Sequence, residues 1–279
     1  MLNVAFIKEV GVANYIYRTA IRQFYKRLLR KQHQITLPNG AEFILPINSH
    51  FASEVYITRA NVDWGSEKLF YSLMKNSGAF LDIGANIGYY SVYMYPKAIK
   101  VYSFEPDPRV RIKLQENVAG RENVEIVSLA VGAKRGKTLF TLEGAAELSH
   151  LAEGVENGKS QIEVDQITVD YFVKINNLKI ESIKIDVEGY DIEVIAGAQN
   201  VLSEQRPIVL TEAKATKDLF DLMKNVDYRI FAYVRNHESR AIKFIEILSD
   251  VAIKEDTKML FLVPNARGNE VLMMAENSI

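Results

Sequence analysis

The chain contains no cysteine and no apolar segment long enough to cross a membrane. The absence of cysteine excludes disulfides, thiolate metal sites and cysteine nucleophiles, and it is typical of a reducing, cytoplasmic compartment. A bilayer span needs about 18 uncharged apolar residues, and no stretch approaches that length. The N-terminus also lacks the apolar core and small-residue cleavage site of a secretory signal. We therefore expect a cytoplasmic protein without a transmembrane segment.

Net charge is small but unevenly distributed. The 279 residues carry a net charge of −1, with 48% hydrophobic and 25% charged residues. Residues 1–34 hold seven lysines and arginines against one glutamate, a balance of +6, so the rest of the chain carries −7. A nucleic-acid-binding protein would usually be basic over its main body. We therefore expect no nucleic acid partner.

Residues 1–34 are predicted to form a basic amphipathic helical arm, broken near Gly11. Apolar residues at spacings of three and four predict one face, and basic residues repeat on another. The apolar face is expected to pack on the same domain or on a second subunit, as in a homodimer, with the basic face in solvent. The alternative is peripheral contact with the anionic inner face of a membrane. The apolar face comprises Val10, Ala13, Tyr17, Ile21, Phe24 and Leu28, and the basic face Arg18, Arg22, Lys26 and Arg30.

Residues 35–78 are predicted to form a hairpin and helix extension packed on the core. Segments 35–37 and 42–45 flank Asn39-Gly40, a sequence typical of a tight turn. Segment 53–57 resembles a further strand, and 66–75 a helix. From residue 79 to residue 279, strands alternate with helices, which predicts one α/β core with a parallel sheet covered on both faces. Two extra strands, 137–142 and 161–164, take the place of a helix.

The segment 80–90 carries the first functional signal. A buried strand runs into a loop with Gly84 and Gly88 and then into a helix, and Gly84 allows a ligand to approach the backbone. A dinucleotide site would have Gly-x-Gly-x-x-Gly, but residue 86 is Asn. Asp82 at the strand end would repel a pyrophosphate, yet it can accept hydrogen bonds near the positively charged amino acid end of S-adenosylmethionine. Gly88 would allow tight packing where the helix starts.

A second acid supports a nucleoside site. Glu105 ends the next strand, 21 residues after Gly84. A carboxylate at this place can accept both ribose hydroxyls of a nucleoside. The loop and Glu105 together predict an adenosine site on two adjacent strand ends.

Four phrases of the sequence resemble the FkbM-type methyltransferases. They occur in the family's order, within a resemblance from about residue 35 to about residue 264 that includes Glu212 and 259–264 but leaves out residues 1–34. Members of this family are S-adenosylmethionine-dependent enzymes that act mostly on hydroxyl oxygens of polyketides and sugars. The phrases are Asp82-Ile-Gly-Ala-Asn-Ile-Gly-Tyr-Tyr90, Phe104-Glu-Pro-Asp-Pro108, Lys184-Ile-Asp-Val-Glu-Gly189 and Ala196-Gly-Ala198.

The resemblance implies the class I methyltransferase fold, an α/β, Rossmann-like arrangement. Its seven-stranded sheet is mostly parallel, with the last strand antiparallel. It also implies that the loop holds the methionine end of the cofactor, that Glu105 holds the ribose and that 128–131 lies against the adenine. The candidate cofactor-binding residues are Asp82, Gly84, Ala85, Asn86, Gly88, Tyr89, Glu105, Pro106, Ala130 and Asp186.

Methyl transfer to a hydroxyl requires alignment of two reactants and removal of a proton. Lys184, Asp186 and Glu188 would share one face of a strand and are candidate catalytic residues. We expect Asp186 nearest to the cofactor and acceptor, as base or positioner, and Glu188 beside the acceptor or a cation. A structural Lys184–Asp186 ion pair, or acids that cap the next helix, are the alternative. His150, in the loop 147–150, is the candidate histidine base.

The acceptor site is the least defined part of the prediction. Glu188, Glu212 and His237 are candidate acceptor-binding residues. Asp186, Glu188 and Glu212 would suit Mg²⁺ or Ca²⁺, although the motif does not require a divalent cation.

The sequence thus predicts an S-adenosylmethionine-dependent O-methyltransferase. Its acceptor would be a hydroxyl of a sugar, glycolipid or polyketide-like small molecule. A nicotinamide-dependent Rossmann oxidoreductase is the enzyme alternative, and Asn86 disfavours it. A non-catalytic methyltransferase-fold subunit is the other alternative, disfavoured by the retained Lys184, Asp186 and Glu188.

Overall fold

A computed structural model of the chain describes residues 4–143, 149–152, 158–237, 239, 241–249 and 255–276. It begins with two helices, α1 (Val4–Val10) and α2 (Val12–Gln23), separated by Gly11 with φ of 83°. A π-helical turn, Phe24–Leu29, continues α2. The predicted break near Gly11 is confirmed. None of the helices in these ranges has the length and apolar character needed to cross a bilayer.

The arm packs on its own domain, but the prediction of which face packs is wrong. Arg18 and Arg22, assigned to the solvated face, are only 7% and 1% exposed, whereas Tyr17, Phe24 and Leu28 are exposed. Arg18 donates to the carbonyl of Ile57. Arg22 donates to the carbonyls of Leu45, at 3.2 Å, and Pro46. A guanidinium carries five N–H donors. It can therefore be buried where the end of a helix or strand leaves backbone carbonyls without partners.

The extension after the arm is a hairpin followed by two helices. Strands β1 (His33–Thr36) and β2 (Glu42–Leu45) pair antiparallel, which confirms the hairpin. Helix α3 (His50–Thr58) replaces the strand predicted at 53–57, because the Ser49 hydroxyl accepts the Ala52 amide at 2.8 Å and begins a helix there. Helix α4 (Ser66–Leu73) agrees with the prediction.

A second, smaller sheet follows the third strand of the core. Its strands are β6 (Ala130–Val131), β7 (Gly136–Leu142), β8 (His150–Ala152) and β9 (Ser160–Ile167). Their order is β6-β9-β7-β8, which confirms the two predicted extra strands. The prediction that they take the place of a helix is wrong, because a helix over Val169–Ile175 follows them and packs in the core.

Within the described ranges, the main sheet has eight strands. Five of them, in the order β5-β4-β3-β10-β11, are parallel, and β14 lies antiparallel between β11 and β12. This is the predicted class I methyltransferase arrangement. β13 is an addition to the predicted seven strands, because a hairpin pairs it with β12 at the sheet edge. The strands are β3 (Ala79–Ile83), β4 (Lys100–Phe104), β5 (Val124–Val127), β10 (Ile180–Ile185), β11 (Ile208–Thr211), β12 (Tyr228–Arg235), β13 (Ile242–Ile247) and β14 (Asp256–Pro264).

Helices cover both faces of the main sheet. One apolar core contains Phe80 and Phe261 of the sheet, side chains of α4, α5, α6 and α11, and Phe43 of the hairpin. The other contains Leu81 and Ile183 with side chains of α7 to α10. These two buried layers fix the strand ends from which the cavity described below is built. The helices are α5 (Tyr89–Met94), α6 (Pro108–Val118), α7 (Val169–Ile175), α8 (Asp191–Ala196), α9 (Gln199–Gln205), α10 (Lys217–Asn225) and α11 (Gly268–Glu276).

Candidate active site

A cavity of about 780 Å³ lies at the carboxyl ends of the parallel strands. Ile83, Phe104 and Asp186 line it at or just beyond the ends of three parallel strands. Thr257 and Lys258 line it from the start of β14. They do so because β14 runs antiparallel, so its first residues lie beside the last residues of its neighbours. Ligands bind at this edge in open α/β sheets.

The loop between β3 and α5 forms one wall. Gly84, Asn86 and Gly88 all have positive φ, of 75°, 51° and 88°. Gly84 lines the cavity, and the structure adds a second reason for glycine there, because a Cβ would lie 1.8 Å from the Asp186 carbonyl oxygen. The protein's own backbone occupies the space beside Gly84. At Gly88 a Cβ would lie 2.7 Å from Leu114 Cδ1, so the tight packing expected there is present.

Glu105 joins this loop to the end of β4. One carboxylate oxygen accepts the Asn86 amide at 2.9 Å, and the other accepts the Asp107 amide at 2.9 Å. Burial raises the pKa of Glu105 to about 7, against the lowering effect of these two amides. The carboxyl lines the cavity. The Glu105 carboxyl group is therefore fixed in position, and its remaining lone pairs can accept hydrogen bonds from hydroxyl groups.

An apolar wall lies beside Glu105. Leu129, Ala130 and Val131, at and before β6, line the cavity together with Pro106 and Ala85. These side chains suit the flat face of a nucleobase. The structure thus brings the segment predicted to contact adenine next to the carboxyl predicted to bind ribose.

Lys184 lies at the centre of a buried ion-pair network. Its Nζ is 2.9 Å from Asp186 Oδ2 and 3.9 Å from Asp82 Oδ1, and it donates to the Gly84 carbonyl at 3.0 Å. Burial opposes its charge, but the two carboxylates raise the pKa of Lys184 above its ordinary value. The Lys184–Asp186 ion pair considered as an alternative is therefore present.

Asp82 and Asp186 differ in access to the cavity. Asp82 is wholly buried, accepts a hydrogen bond from the Ser91 hydroxyl, and lies behind the described cavity wall. Asp82 is therefore not placed to make the expected contact with the methionine end of the cofactor. It supports the loop after β3 instead, through its contacts with Lys184 and Ser91. Asp186 lines the cavity.

Glu188 reaches the cavity from a turn. β10 ends at Ile185, so the strand alternation predicted for Lys184, Asp186 and Glu188 stops before the last two. Glu188 has φ of 49° and lines the cavity. Burial, followed by the charges of Asp186 and Asp191, raises its pKa.

Glu212 follows β11 and lines the same cavity. Burial, together with the carboxylates of Asp186 and Asp63, raises its pKa well above that of an ordinary glutamate. Asp186, Glu188 and Glu212 thus face one space, as predicted. Within the described residues, however, no three histidine, aspartate or glutamate side chains form a group that could hold a metal ion.

Sequence reasoning missed Asp63, a further carboxylate that lines the cavity. Asp63 precedes α4 and lines the cavity, and the Tyr90 hydroxyl donates to its Oδ2 at 2.6 Å. Burial raises the pKa of Asp63, against the lowering effect of Tyr90. Behind it, Glu67 Oε1 accepts the Asp63 amide at 2.9 Å and the Tyr89 hydroxyl at 3.2 Å. An acid in a turn has no local sequence pattern that would have indicated this position.

The rest of the wall comes from α3 and β14. Glu54 and Lys258 form an ion pair, with 3.2 Å between Oε1 and Nζ, and both line the cavity. His50, at the start of α3, also lines it. These residues are brought together only by the tertiary fold, because 204 positions separate Glu54 from Lys258.

The two candidate histidines, His150 and His237, are not among the residues that line the cavity. Ser149 and Leu151 line the cavity on either side of His150, whose charge lowers the pKa of nearby Glu188. The first part of its predicted loop, 147–148, lies outside the described residues. His237 is on an exposed turn after β12, with 3.6 Å between its Nδ1 and Asp256 Oδ2. We therefore leave His237 out of the acceptor site proposed below.

The fold and site define an α/β protein with a class I methyltransferase sheet and a nucleoside-sized cavity at its strand ends. The domain family described as "Methyltransferase FkbM domain" matches residues 82–233, more than half of the chain. The chain belongs to this FkbM methyltransferase family.

Named relatives are similar over part of their length. Hexuronic acid methyltransferase AglP of Haloferax volcanii is 28% identical over 144 residues, 51% of this chain and 59% of that protein. The 2-O-methyltransferase NoeI of Sinorhizobium fredii is 25% identical over 153 residues, 48% of this chain and 63% of that protein. The chain thus matches less than two thirds of the length of both.

A solved structure of methyltransferase FkbM from Methylobacillus flagellatus is also similar. It is 15% identical, with a TM-score of 0.43, over 90% of this chain and 60% of that one.

Proposed function

We propose that the chain is an S-adenosylmethionine-dependent O-methyltransferase whose acceptor is a carbohydrate hydroxyl. The observation that carries this proposal is one cavity lined by Glu105 and, elsewhere on its wall, by Asp63, Asp186 and Glu212. The first carboxyl suits the ribose of a nucleoside methyl donor. The other three suit an acceptor that presents hydroxyl donors. The names of the two relatives, one of which specifies a hexuronic acid, support a sugar.

The residues present fit S-adenosylmethionine. Glu105 would accept the ribose hydroxyls, and Leu129 to Val131 would contact the adenine. Asp186 would lie towards the positively charged amino acid end. The cofactor, when bound, supplies a methyl group on a positively charged sulfur. Acidic groups around the cavity therefore match the charge that the site receives.

The charge of the wall also restricts the acceptor. The carboxyl groups that line the cavity outnumber the cationic groups of Lys184 and Lys258, and each of these lysines is already paired with a carboxylate. An anionic acceptor would therefore meet like charge. We expect an uncharged, hydroxyl-rich sugar to bind better than a hexuronate.

Asp63 is the residue best placed to take the hydroxyl proton. Its carboxyl lines the cavity and is held by Tyr90, and among the described residues it forms no ion pair like the one that ties Asp186 to Lys184. A pKa raised towards neutrality makes a carboxylate a stronger base while leaving it ionised in part. Asp186, held by Lys184, would then position the reactants. This assigns the roles of base and positioner to two residues.

Calorimetry and a methyl-transfer assay test the proposed function. We expect the purified chain to bind S-adenosylmethionine and not NAD, and to transfer a labelled methyl group to at least one neutral glycan in a panel that includes hexuronates. Tight NAD binding without S-adenosylmethionine binding would favour the oxidoreductase. Cofactor binding without transfer to any member of a broad panel would favour a non-catalytic subunit. Glu105→Ala serves as the control that abolishes binding in the expected site.

A further inference from the structure

The N-terminal arm is attached to the protein by its arginines. Arg18 donates to a carbonyl of α3, and Arg22 donates to the carbonyls of the last residue of β2 and of the residue after it. The Arg22 guanidinium also lies 3.4 Å from the Ser53 hydroxyl. Tyr15 is the one buried apolar residue of α2. The side of α2 that faces the protein is therefore largely polar, and its apolar side faces away.

The outward side forms a continuous apolar stripe, which we call the outer face of the arm. Ile16 is 56% exposed and Leu28 is 73% exposed. Intervals of four residues along α2 and its π-helical continuation keep such residues on one side. Tyr17 and Phe24 add aromatic rings of the kind that lie at membrane interfaces. The large apolar residues exposed on α2 and its π-helical turn are Val12, Ile16, Tyr17, Phe24, Leu28 and Leu29.

Cations surround the C-terminal end of the outer face. Arg27, Arg30 and Lys31 are exposed beside Leu28 and Leu29. There is no aspartate or glutamate from residue 10 to residue 41. Apolar side chains flanked by cations without acids are complementary to a surface that is apolar inside and anionic outside.

We propose that the outer face of the arm binds the surface of an anionic lipid bilayer. Leu28, Phe24 and Ile16 enter the boundary between headgroups and acyl chains, while Arg27, Arg30 and Lys31 contact lipid phosphates. A second copy of the chain is a poorer occupant, because a symmetric dimer through this face would bring the same cations of both copies together, and residues 10–41 contain no acid to neutralise them.

The arm also adjoins the cavity. Phe6 of α1 lines the cavity, and Gly11 alone separates α1 from α2. If the proposed function holds, a bilayer on the outer face lies near the place where the acceptor enters. The binding of lipid itself does not depend on the methyl-transfer assignment.

Vesicle co-sedimentation of the full chain tests the proposal. We expect binding to vesicles of phosphatidylcholine mixed with phosphatidylglycerol and little binding to phosphatidylcholine alone. Ile16→Ser/Leu28→Ser should reduce the partition coefficient at least about tenfold, since two apolar side chains no longer insert. Arg27→Gln/Arg30→Gln should reduce it about thirtyfold on anionic vesicles. Ile112→Ser/Ile175→Ser is the matched control, because these isoleucines are 61% and 55% exposed elsewhere, and it should bind like the wild type.

Three results would overturn the proposal. The first is equal binding of the wild type to both kinds of vesicle. The second is unchanged binding by Ile16→Ser/Leu28→Ser. The third is a dimer in light scattering without lipid that the same substitutions convert to a monomer, since a second copy would then cover the outer face. Circular dichroism on each variant shows whether a loss of lipid binding comes from a loss of the fold. Calorimetry with S-adenosylmethionine tests the methyl-donor assignment separately, so that its failure is not mistaken for a failure of lipid binding.

Discussion

The two sides of the cavity are built in different ways. The cofactor side consists of the loop after β3, Glu105 after β4 and the segment 129–131, and it lies within the matched family region, 82–233. The acceptor side includes Asp186 and Glu212 from that region, and adds to them α3, Asp63 and the start of β14, which lie outside it. Backbone contacts fix the first side, whereas side chains mounted on packed elements form much of the second. The cofactor side should therefore tolerate few substitutions, whereas residues of the acceptor side can be substituted without loss of the fold.

Gly84→Ala should have the largest effect, because it disturbs the backbone contact on which the cofactor side depends. The new Cβ would overlap the Asp186 carbonyl oxygen, at 1.8 Å, on a backbone with φ of 75°. We expect the free energy of unfolding to fall by about 4 kcal/mol and S-adenosylmethionine binding to be lost. Urea denaturation and calorimetry measure these effects.

Gly120→Ala is the matched control for that substitution. Gly120 has φ of 76° but nothing within 4 Å of the added Cβ. Only the backbone strain remains there, so the expected cost is about 1 kcal/mol. Equal costs at the two positions would show that the contact with Asp186 contributes nothing.

Asp63→Asn should break the acceptor side while leaving the cofactor side intact. The amide keeps the shape of the carboxylate but cannot take a proton, so kcat should fall by about 10² to 10⁴. The dissociation constant of S-adenosylmethionine should stay within twofold of wild type. Steady-state kinetics and calorimetry give both values, and Asp165→Asn, an exposed acid on β9, is the control. A kcat near wild type would assign the base to another residue.

The pH dependence of cofactor binding should depend on Glu105. The ribose hydroxyls donate to the ionised carboxylate, and burial places its pKa at about 7. As the pH falls below 7, protonation should weaken binding by up to about tenfold per pH unit. Calorimetry from pH 5.5 to 8 should show this in the wild type and not in Glu105→Gln.

The free protein offers a second measurement at the same residue. A carboxyl with a raised folded-state pKa contributes stability that is complete below the unfolded pKa and is lost as the pH rises through the folded value. Glu105 should therefore contribute a fall in melting temperature between pH 5 and pH 8, and Glu105→Gln should reduce that fall. An unchanged pH slope would contradict the raised pKa.

Glu212→Gln should have the smallest effect. Burial and neighbouring carboxylates make Glu212 hold its proton to higher pH than an ordinary glutamate, so the neutral amide is a close substitute. We expect kcat/KM at neutral pH within about threefold of wild type, while Glu212→Ala raises the acceptor KM by about tenfold through a lost hydrogen bond. A large loss in Glu212→Gln would show that the ionised form is needed.

The sequence could predict those parts of the molecule whose position depends on short, contiguous sequence motifs. The loop with Asn86 and the acid at Glu105 are short phrases at strand ends, so their place follows from the strand pattern. Asp63 and Lys258 meet at the cavity only through the tertiary fold. The orientation of the arm was mispredicted because burial of Arg18 and Arg22 depends on distant carbonyls at Ile57, Leu45 and Pro46. Hydrophobic periodicity contains no information about such acceptors.

The contact between Gly84 and the Asp186 carbonyl has a consequence for protein engineering and for divergence within a lineage. A change in the turn 186–189 that moved the backbone would also move the loop at 84–88, since the two are in direct contact. New acceptor specificities should therefore arise by substitution at His50, Glu54 or Lys258, which line the cavity away from that turn. Directed evolution libraries restricted to those three positions should contain more active variants than libraries of equal size built on 186–189.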